Sequence, residues 1–218
     1  MKNITWRHYT MMIIGNLFIG IAVALLRISE LGTDPFSTIN LGLSGFLEIP
    51  FGVYQLLFNV LLLIVIFILY RSSIGIGTLV NMVGIGFISD FLVYSYYQFF
   101  GDLTLILVQV LMMIAAVIFA SMGVALYITP NLGMAPYDAL AFAIEKVSGN
   151  RIRFPVARIA TDIACVVIGF SFGAIVGIAT VIFAFFTGPF VQFFRKNIAE
   201  PILAKETNKK VIPAIEME

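Results

Sequence analysis

Residues 51–70 read FGVYQLLFNVLLLIVIFILY, and this stretch decides the fold class because none of its side chains is charged. About 20 mostly apolar residues form a helix long enough to cross the hydrocarbon core of a bilayer. The whole chain shares this character, since 61% of its 218 residues are hydrophobic, 11% are charged and the mean hydropathy is +1.04. A soluble domain has about twice that charged fraction. The sequence therefore predicts an all-α polytopic membrane protein.

Other uncharged stretches on both sides of this segment predict further crossings. Charges, prolines and glycines mark where they end. The first stretch is expected to be retained, because it is too long for a signal peptide and no small-residue cleavage pattern follows it. The charged residues 196–218 predict a cytoplasmic tail. The six predicted spans are residues 9–26, 51–70, 72–100, 103–128, 153–170 and 174–194.

Two shorter segments, 35–47 and 136–148, each begin with proline, which is favoured at the first position of a helix. Asp34 precedes the first of them, where an N-cap is expected. A helix of about 13 residues is roughly 20 Å long and is short for a crossing. The sequence leaves three alternatives open: each helix lies in the interface, re-enters the membrane, or crosses a thinned bilayer.

The motif LGTDPF at 31–36 returns as LGMAPY at 132–137, which indicates an internal duplication. The offset between matching residues is 101 to 103 along the chain, and the aligned pairs include Asn59 with Asp162, Gly75 with Gly177, Thr78 with Thr180, and Gly86 with Gly188. The first repeat is then residues 1–100 and the second 101–195. Each holds three spans and one short helix, and an odd number of crossings inserts the second copy upside down.

The distribution of Lys and Arg predicts that both termini are cytoplasmic. With six crossings, only Arg27 of the 13 Lys and Arg falls outside, in agreement with the positive-inside rule. If both short helices also cross, there are eight crossings and parallel repeats, and only Arg71 changes side. Charge therefore leaves both arrangements open, while helix length favours six crossings.

Polar side chains within spans are the candidates for a substrate site, because such groups usually face a bundle interior or a cavity. Asp162 stands out as a carboxylate well inside a span, and Arg158 lies four residues earlier on the same helix face. The N-termini of the two short helices also favour an anion, although the negative charge of Asp34 already compensates the dipole of the first short helix. The predicted binding residues are Asp34, Pro35, Gln55, Asn59, Asn81, Asp90, Pro136, Arg158 and Asp162.

Structural roles are the alternative for these residues. Asn and Gln side chains often join neighbouring spans by hydrogen bonds. The Arg158–Asp162 pair is as readily explained by structure as by function, and Asp90 is close enough to a span end to be solvated. The sequence does not decide between these interpretations.

Several classes of function are not expected. Cys165 and His8 are the only cysteine and histidine of the chain, so no disulfide, metal site, cofactor or catalytic Ser–His pair is predicted. An enzyme is therefore not expected. The net charge of +1 provides no basic field for nucleic acid.

The motifs LGTDPF (31–36), IPFGVYQ (49–55), GIGT (75–78) and ISDF (88–91) together resemble the YczE/YitT-like family of bacterial membrane proteins. The likeness is closest to the YczE branch and covers about residues 10–195. The second half departs from the pattern, with VGIAT at 176–180 and PFVQF at 189–193. The resemblance implies the bacterial cytoplasmic membrane, and it supplies neither a substrate nor an active site.

The function expected from these features is a small permease with a polar site at the repeat interface. Its partners are the lipid bilayer and a small molecule or ion of unknown identity. A membrane-embedded substrate-binding subunit, or an accessory protein without transport of its own, is the alternative. The sequence leaves the substrate, the coupling ion and the oligomeric state open.

Overall fold

The computed structural model describes residues 4–102 and 105–204, and all regular structure within them is helical. Six of the helices are long and apolar enough to cross a membrane, which confirms the predicted class and the number of spans. The eight α-helices are α1 (Trp6–Ser29), α2 (Pro35–Phe46), α3 (Phe51–Leu69), α4 (Ile76–Phe100), α5 (Ile106–Ile128), α6 (Pro136–Val147), α7 (Phe154–Ser171) and α8 (Ile178–Phe194).

Helix α8 extends further than the sequence predicts. A π-helical turn, Arg195–Ala199, follows it directly, and the helical backbone then continues to residue 204. Ala199 is buried in a cluster with Met11 and Leu126, so apolar packing holds this segment against α1 and α5. The first nine residues of the predicted tail therefore belong to the last helix, and residues 205–218 lie outside the described residues.

Helices α1 and α5 form the centre of the bundle and cross where both carry glycine. A Cβ atom placed on Gly15 would lie 2.7 Å from the carbonyl oxygen of Gly123, and one placed on Gly123 would lie 2.7 Å from that of Gly15. Small residues allow the backbones of membrane helices to approach this closely. Helix α4 packs against α1, and α8 packs against α5.

The segments that follow α1 and α5 make matching contacts on opposite helices. The carbonyl oxygen of Leu31 accepts a hydrogen bond of 3.0 Å from the backbone N–H of Ala179 at the start of α8. The carbonyl oxygen of Leu132 accepts one of 2.8 Å from the backbone N–H of Gly77 at the start of α4. Each segment therefore connects one half of the chain to the other.

The α3–α4 pair is tightly packed, and the α7–α8 pair is not. Gly52 and Gly86 meet so closely that a Cβ on Gly86 would lie 2.7 Å from the Cα of Gly52. Within the described residues, α7 and α8 have no comparable packing contact, and a Cβ on Gly188 would meet nothing within 4 Å. The two halves thus differ most between their last two helices.

Candidate functional site

A cavity of about 170 Å³ lies at the centre of the bundle, and each of the eight helices contributes residues to its wall. Ile19 and Ala120, near the middle of α1 and α5, place this central cavity deep within the spans. A polar lining at such depth is costly and usually marks a functional path. The polar wall residues are Asp34, Ser37, Gln55, Asn81, Tyr127, Tyr137, Asp138, Arg158, Asp162 and Thr187.

The N-terminal ends of the two short helices meet in the central cavity. Phe36 of α2 and Tyr137 of α6 stack with ring centroids 4.5 Å apart. Both helices begin with proline, as predicted, and the Asp34 side chain caps α2 by accepting a hydrogen bond of 3.0 Å from the Ser37 N–H. The predicted N-cap is therefore confirmed. Each helix directs its positive dipole end toward the cavity.

Helix α6 has no capping side chain of its own, and Tyr127 of α5 takes that role. The Tyr127 side chain is 1% exposed. Its hydroxyl accepts a hydrogen bond of 2.9 Å from the Ala135 N–H and donates one of 2.8 Å to Asp138. A backbone donor at the helix start is thereby satisfied by the neighbouring span.

Arg158 is the centre of an ionic cluster in the cavity wall. Its guanidinium lies 3.1 Å from a carboxylate oxygen of Asp138 and 3.3 Å from one of Asp162, and it stands 4.6 Å above the ring of Tyr137. The Tyr137 hydroxyl donates a hydrogen bond to Asp162. The pairing of Arg158 with Asp162, expected from their spacing, is present, and Asp138 is an additional partner.

This ionic cluster is not sealed from the exterior. The side chains of Asp138, Arg158 and Asp162 are 30%, 33% and 21% exposed. Charged groups at membrane depth face either protein partners or water rather than lipid. These exposed fractions indicate that the central cavity has an opening beside the cluster.

An amide network on the opposite wall fixes the orientation of Asn81. The Asn16 amide N–H donates to the Met12 carbonyl at 2.8 Å, so its oxygen is free to accept the amide N–H of Asn81, also at 2.8 Å. The oxygen of Asn81 remains available to the cavity. Gln55, which is 3% exposed, has a side-chain oxygen with no hydrogen-bond partner.

A second ionic cluster lies outside the cavity wall. Arg27 at the end of α1 pairs with Asp90 of α4 at 2.7 Å and stands 4.4 Å above the ring of Phe51. The other carboxylate oxygen of Asp90 accepts a hydrogen bond of 2.6 Å from the Gly52 N–H. This Arg27–Asp90–Gly52 latch ties together α1, α3 and α4.

The structure brings most of the predicted site residues to one place. Asn59 is buried with an unpartnered side-chain oxygen but does not line the cavity, and Asp90 belongs to the latch. Pro136 is buried at the start of α6, between two wall residues. The wall includes Asp34, Pro35, Gln55, Asn81, Arg158 and Asp162 from the prediction.

Sequence reasoning missed Asp138, Tyr127, Tyr137 and Phe183, which also line the cavity. Asp138 offered a signal, because it lies in the first turn of a helix that begins with proline, where an acid suits the dipole. The aromatic residues offered none, since such residues are common in every span. Among the described residues, no three acidic, His or Cys side chains converge as metal ligands.

Comparisons with known proteins identify uncharacterized relatives of this chain. The chain is 29% identical over 188 residues to an uncharacterized protein of Haemophilus influenzae, covering 83% of this chain and 80% of that protein. It is 26% identical to the uncharacterized protein YyaS of Bacillus subtilis, covering 88% of this chain and 94% of YyaS.

The uncharacterized membrane protein YczE of Bacillus subtilis is 22% identical, covering 85% of this chain and 84% of YczE. This match is consistent with the resemblance found in the motifs and with a membrane protein. No solved structure matches the chain. The family of unknown function DUF6198 matches residues 6–196, nearly the whole described chain, and the protein therefore belongs to that family.

Proposed function

We propose that the protein is a small secondary transporter whose substrate occupies the central cavity. The observation that carries this proposal is the cavity itself: a polar pocket in the middle of an apolar bundle, walled by both halves of the chain. Many secondary transporters bind their substrates near the bilayer midplane, between two repeats. The location we propose is the bacterial cytoplasmic membrane, with both termini in the cytoplasm.

The paired loop contacts support an inverted duplication. Leu31 and Leu132 are 101 residues apart, and Gly77 and Ala179 are 102 apart, which are the repeat offsets found in the sequence. The hydrogen bond from Ala179 to Leu31 therefore corresponds to the one from Gly77 to Leu132. Two halves related by a two-fold axis make each cross-contact twice in this way.

The wall of the cavity supports the same axis. Many wall positions are partners under the repeat offsets, so the cavity lies where the halves meet. The chemistry differs across all but the Val23–Val124 pair, which makes the site asymmetric. The pairs are Val23 with Val124, Leu26 with Tyr127, Asp34 with Ala135, Phe36 with Tyr137, Ser37 with Asp138, Gln55 with Arg158, Asn81 with Phe183, and Ile85 with Thr187.

In this proposal α2 and α6 are re-entrant helices rather than crossings. Each has 12 residues, which is about 18 Å at 1.5 Å per residue and too short for the hydrocarbon core of about 30 Å. Their N-termini meet in the central cavity, as the stacked Phe36 and Tyr137 rings require. Half-crossing helices that end at a midplane site are typical of transporters.

Transport is favoured over catalysis by the groups available. The only histidine, His8, lies at the start of α1 beside Thr5 and far along the chain from any wall residue. The wall supplies carboxylates, amides, hydroxyls and one guanidinium, which bind and release solutes without covalent chemistry. Alternating access then requires the bundle to open on each side in turn.

Cysteine labelling tests this proposal without knowledge of the substrate. In a Cys165→Ser background, Thr187→Cys places one thiol in the cavity wall, and Ser72→Cys serves as a marker of membrane side. A membrane-impermeant maleimide is applied to right-side-out and everted vesicles. A transporter exposes the cavity to both sides, so Thr187→Cys should react in both preparations while Ser72→Cys reacts in one. Reaction of Thr187→Cys from one side alone would contradict transport and favour a substrate-binding subunit.

A further inference from the structure

We infer that the central cavity binds a small organic cation, with the Asp34 carboxylate as its counter-ion and aromatic rings around its apolar part. This inference rests on the proposed role of the cavity as a substrate site, and it names the class of substrate.

The charge balance of the wall favours a cation. Three carboxylates, Asp34, Asp138 and Asp162, face one guanidinium, which leaves two formal negative charges. The helix N-termini at Pro35 and Pro136 each contribute roughly half a positive charge. The remainder is about one negative charge, which a singly charged cation neutralises. The anion expected from helix dipoles alone is disfavoured, because both dipoles already face carboxylates of the protein.

Asp34 is the carboxylate available to a ligand. Arg158 pairs with both Asp138 and Asp162, whereas no cationic side chain of the described residues pairs with Asp34. Among the described residues, its carboxylate accepts hydrogen bonds from Ser37 alone, one of them from the backbone N–H at 3.0 Å.

Two side-chain oxygens of the wall accept no hydrogen bond. The oxygen of Gln55, in a residue 3% exposed, lacks a hydrogen-bond partner. Asn81 donates one amide N–H to Asn16, and its oxygen accepts no hydrogen bond from the described residues. The hydroxyls of Tyr127 and Tyr137 already donate to Asp138 and Asp162. An ammonium ion or a hydroxyl-bearing amine supplies the donors that these oxygens lack.

Aromatic and apolar groups complete the pocket. Phe36 and Phe183 line it, and a cation within about 6 Å of an aromatic face is attracted by the ring quadrupole. The cavity of about 170 Å³ suits a small ligand. Choline is a suitable probe because neutral and anionic molecules of nearly the same shape exist.

The test is calorimetric titration of the purified full chain in nanodiscs at pH 8. Three probes are compared: choline, its neutral analogue 3,3-dimethylbutan-1-ol and the anion 3,3-dimethylbutanoate. We expect choline to bind at least tenfold more tightly than the alcohol, and the anion most weakly. Asp34→Asn should reduce choline affinity at least tenfold and leave the alcohol unchanged. Asparagine is as good an N-cap as aspartate, so this variant keeps the start of α2.

The control is Asp102→Asn, which removes the same charge from an exposed residue and should leave choline affinity unchanged.

Equal affinity for choline and the alcohol, preference for the anion, or no saturable choline binding would each overturn the inference. These outcomes are separate from a failure of the transport proposal. Anion binding together with Thr187→Cys labelling from both sides would refute the cation site and support the transport proposal. Choline preference together with labelling of Thr187→Cys from one side alone would support the cation site and refute the transport proposal.

Discussion

The α3–α4 and α7–α8 pairs occupy corresponding places in the two proposed repeats, yet they pack differently. Gly86 of α4 lies against Gly52 of α3, whereas Gly188 of α8 has open space where a side chain would stand. The first pair closes one flank of the central cavity. The second pair leaves the opposite flank open, beside the exposed ionic cluster of Arg158. The two flanks of the cavity are therefore packed unequally.

The residues of the latch explain why only one flank is closed. At the repeat offsets, Arg27, Gly52 and Asp90 correspond to Ile128, Pro155 and Gln192. Proline has no backbone N–H to donate, and the other two positions have lost the opposite charges of the first half. The second half therefore lacks both the hydrogen bond and the ion pair that tie α1, α3 and α4 together.

The largest effect is expected from Gly86→Ala, which adds a methyl group where α3 and α4 are in close contact. In Gly86→Ala the new Cβ would lie 2.7 Å from the Gln55 oxygen and from the Gly52 Cα, so the helices must separate. Overpacking costs about 1–3 kcal/mol, and each kcal/mol lowers Tm by about 2–4 °C in a chain of this size. We expect a Tm lower by about 3–10 °C, measured by loss of the monodisperse chromatographic peak on heating in detergent.

The matched variant is Gly188→Ala, whose new Cβ meets nothing within 4 Å. Its Tm should stay within about 2 °C of the wild type or rise, because alanine is the better helix former. Similar losses in the two variants would contradict the packing difference between the flanks.

The next largest effect is expected from removing the cap of α6, because the two short helices are capped differently. Helix α2 is capped by its own Asp34, while α6 depends on the Tyr127 hydroxyl of α5. Tyr127→Phe leaves the Ala135 N–H without its partner, at a cost of about 1–3 kcal/mol. A Tm decrease of several degrees is expected, with Tyr94→Phe, at a residue 67% exposed, as the control without effect. An unchanged Tm in Tyr127→Phe would show that the cap contributes nothing.

A smaller effect is expected from the latch. Asp90→Asn removes the charge partner of Arg27, whose side chain is 16% exposed, and should cost about 1–2 kcal/mol. Glu200→Gln breaks the exposed Arg195–Glu200 pair, with side chains 54% and 51% exposed, and should cost less than about 0.5 kcal/mol.

Release of the latch should also change access to the cavity. We expect Thr187→Cys to react faster from the side of Arg27 when Asp90→Asn is present, and Glu200→Gln to leave that rate unchanged. Equal labelling rates of Thr187→Cys with and without Asp90→Asn would show that the latch does not control access to the cavity.

Hydrophobic runs and proline positions predicted the helices within a few residues, because span length and helix starts are local properties. The end of α8 was not predictable in the same way. Arg195, Lys196 and Glu200 resemble the start of a tail, but Ala199 is buried against Met11 and Leu126, which only the folded bundle brings near. Local charge was outweighed by tertiary packing.

The candidate site was predictable where a polar residue interrupts an apolar span. Asp162 and Arg158 were found by this rule, and Asp34 by its capping position. Asn59 satisfies the same rule and does not line the cavity, because burial alone does not decide which way a helix face points. Tyr127 and Phe183 line the cavity through long-range packing, and no local pattern separates them from the other aromatic residues of the chain.

The inverted arrangement of the two halves around the cavity can be tested with a pair of matched cysteines. Ser72, between α3 and α4, and Ser171, at the end of α7, are both exposed serines at the connections that correspond in the two halves. Each is changed to cysteine separately in a Cys165→Ser background, and intact and lysed cells are labelled with an impermeant maleimide. Inverted halves predict that Ser171→Cys reacts in intact cells and Ser72→Cys only after lysis. Reaction of both variants in intact cells would mean that α2 and α6 cross the membrane, and it would contradict the inverted arrangement.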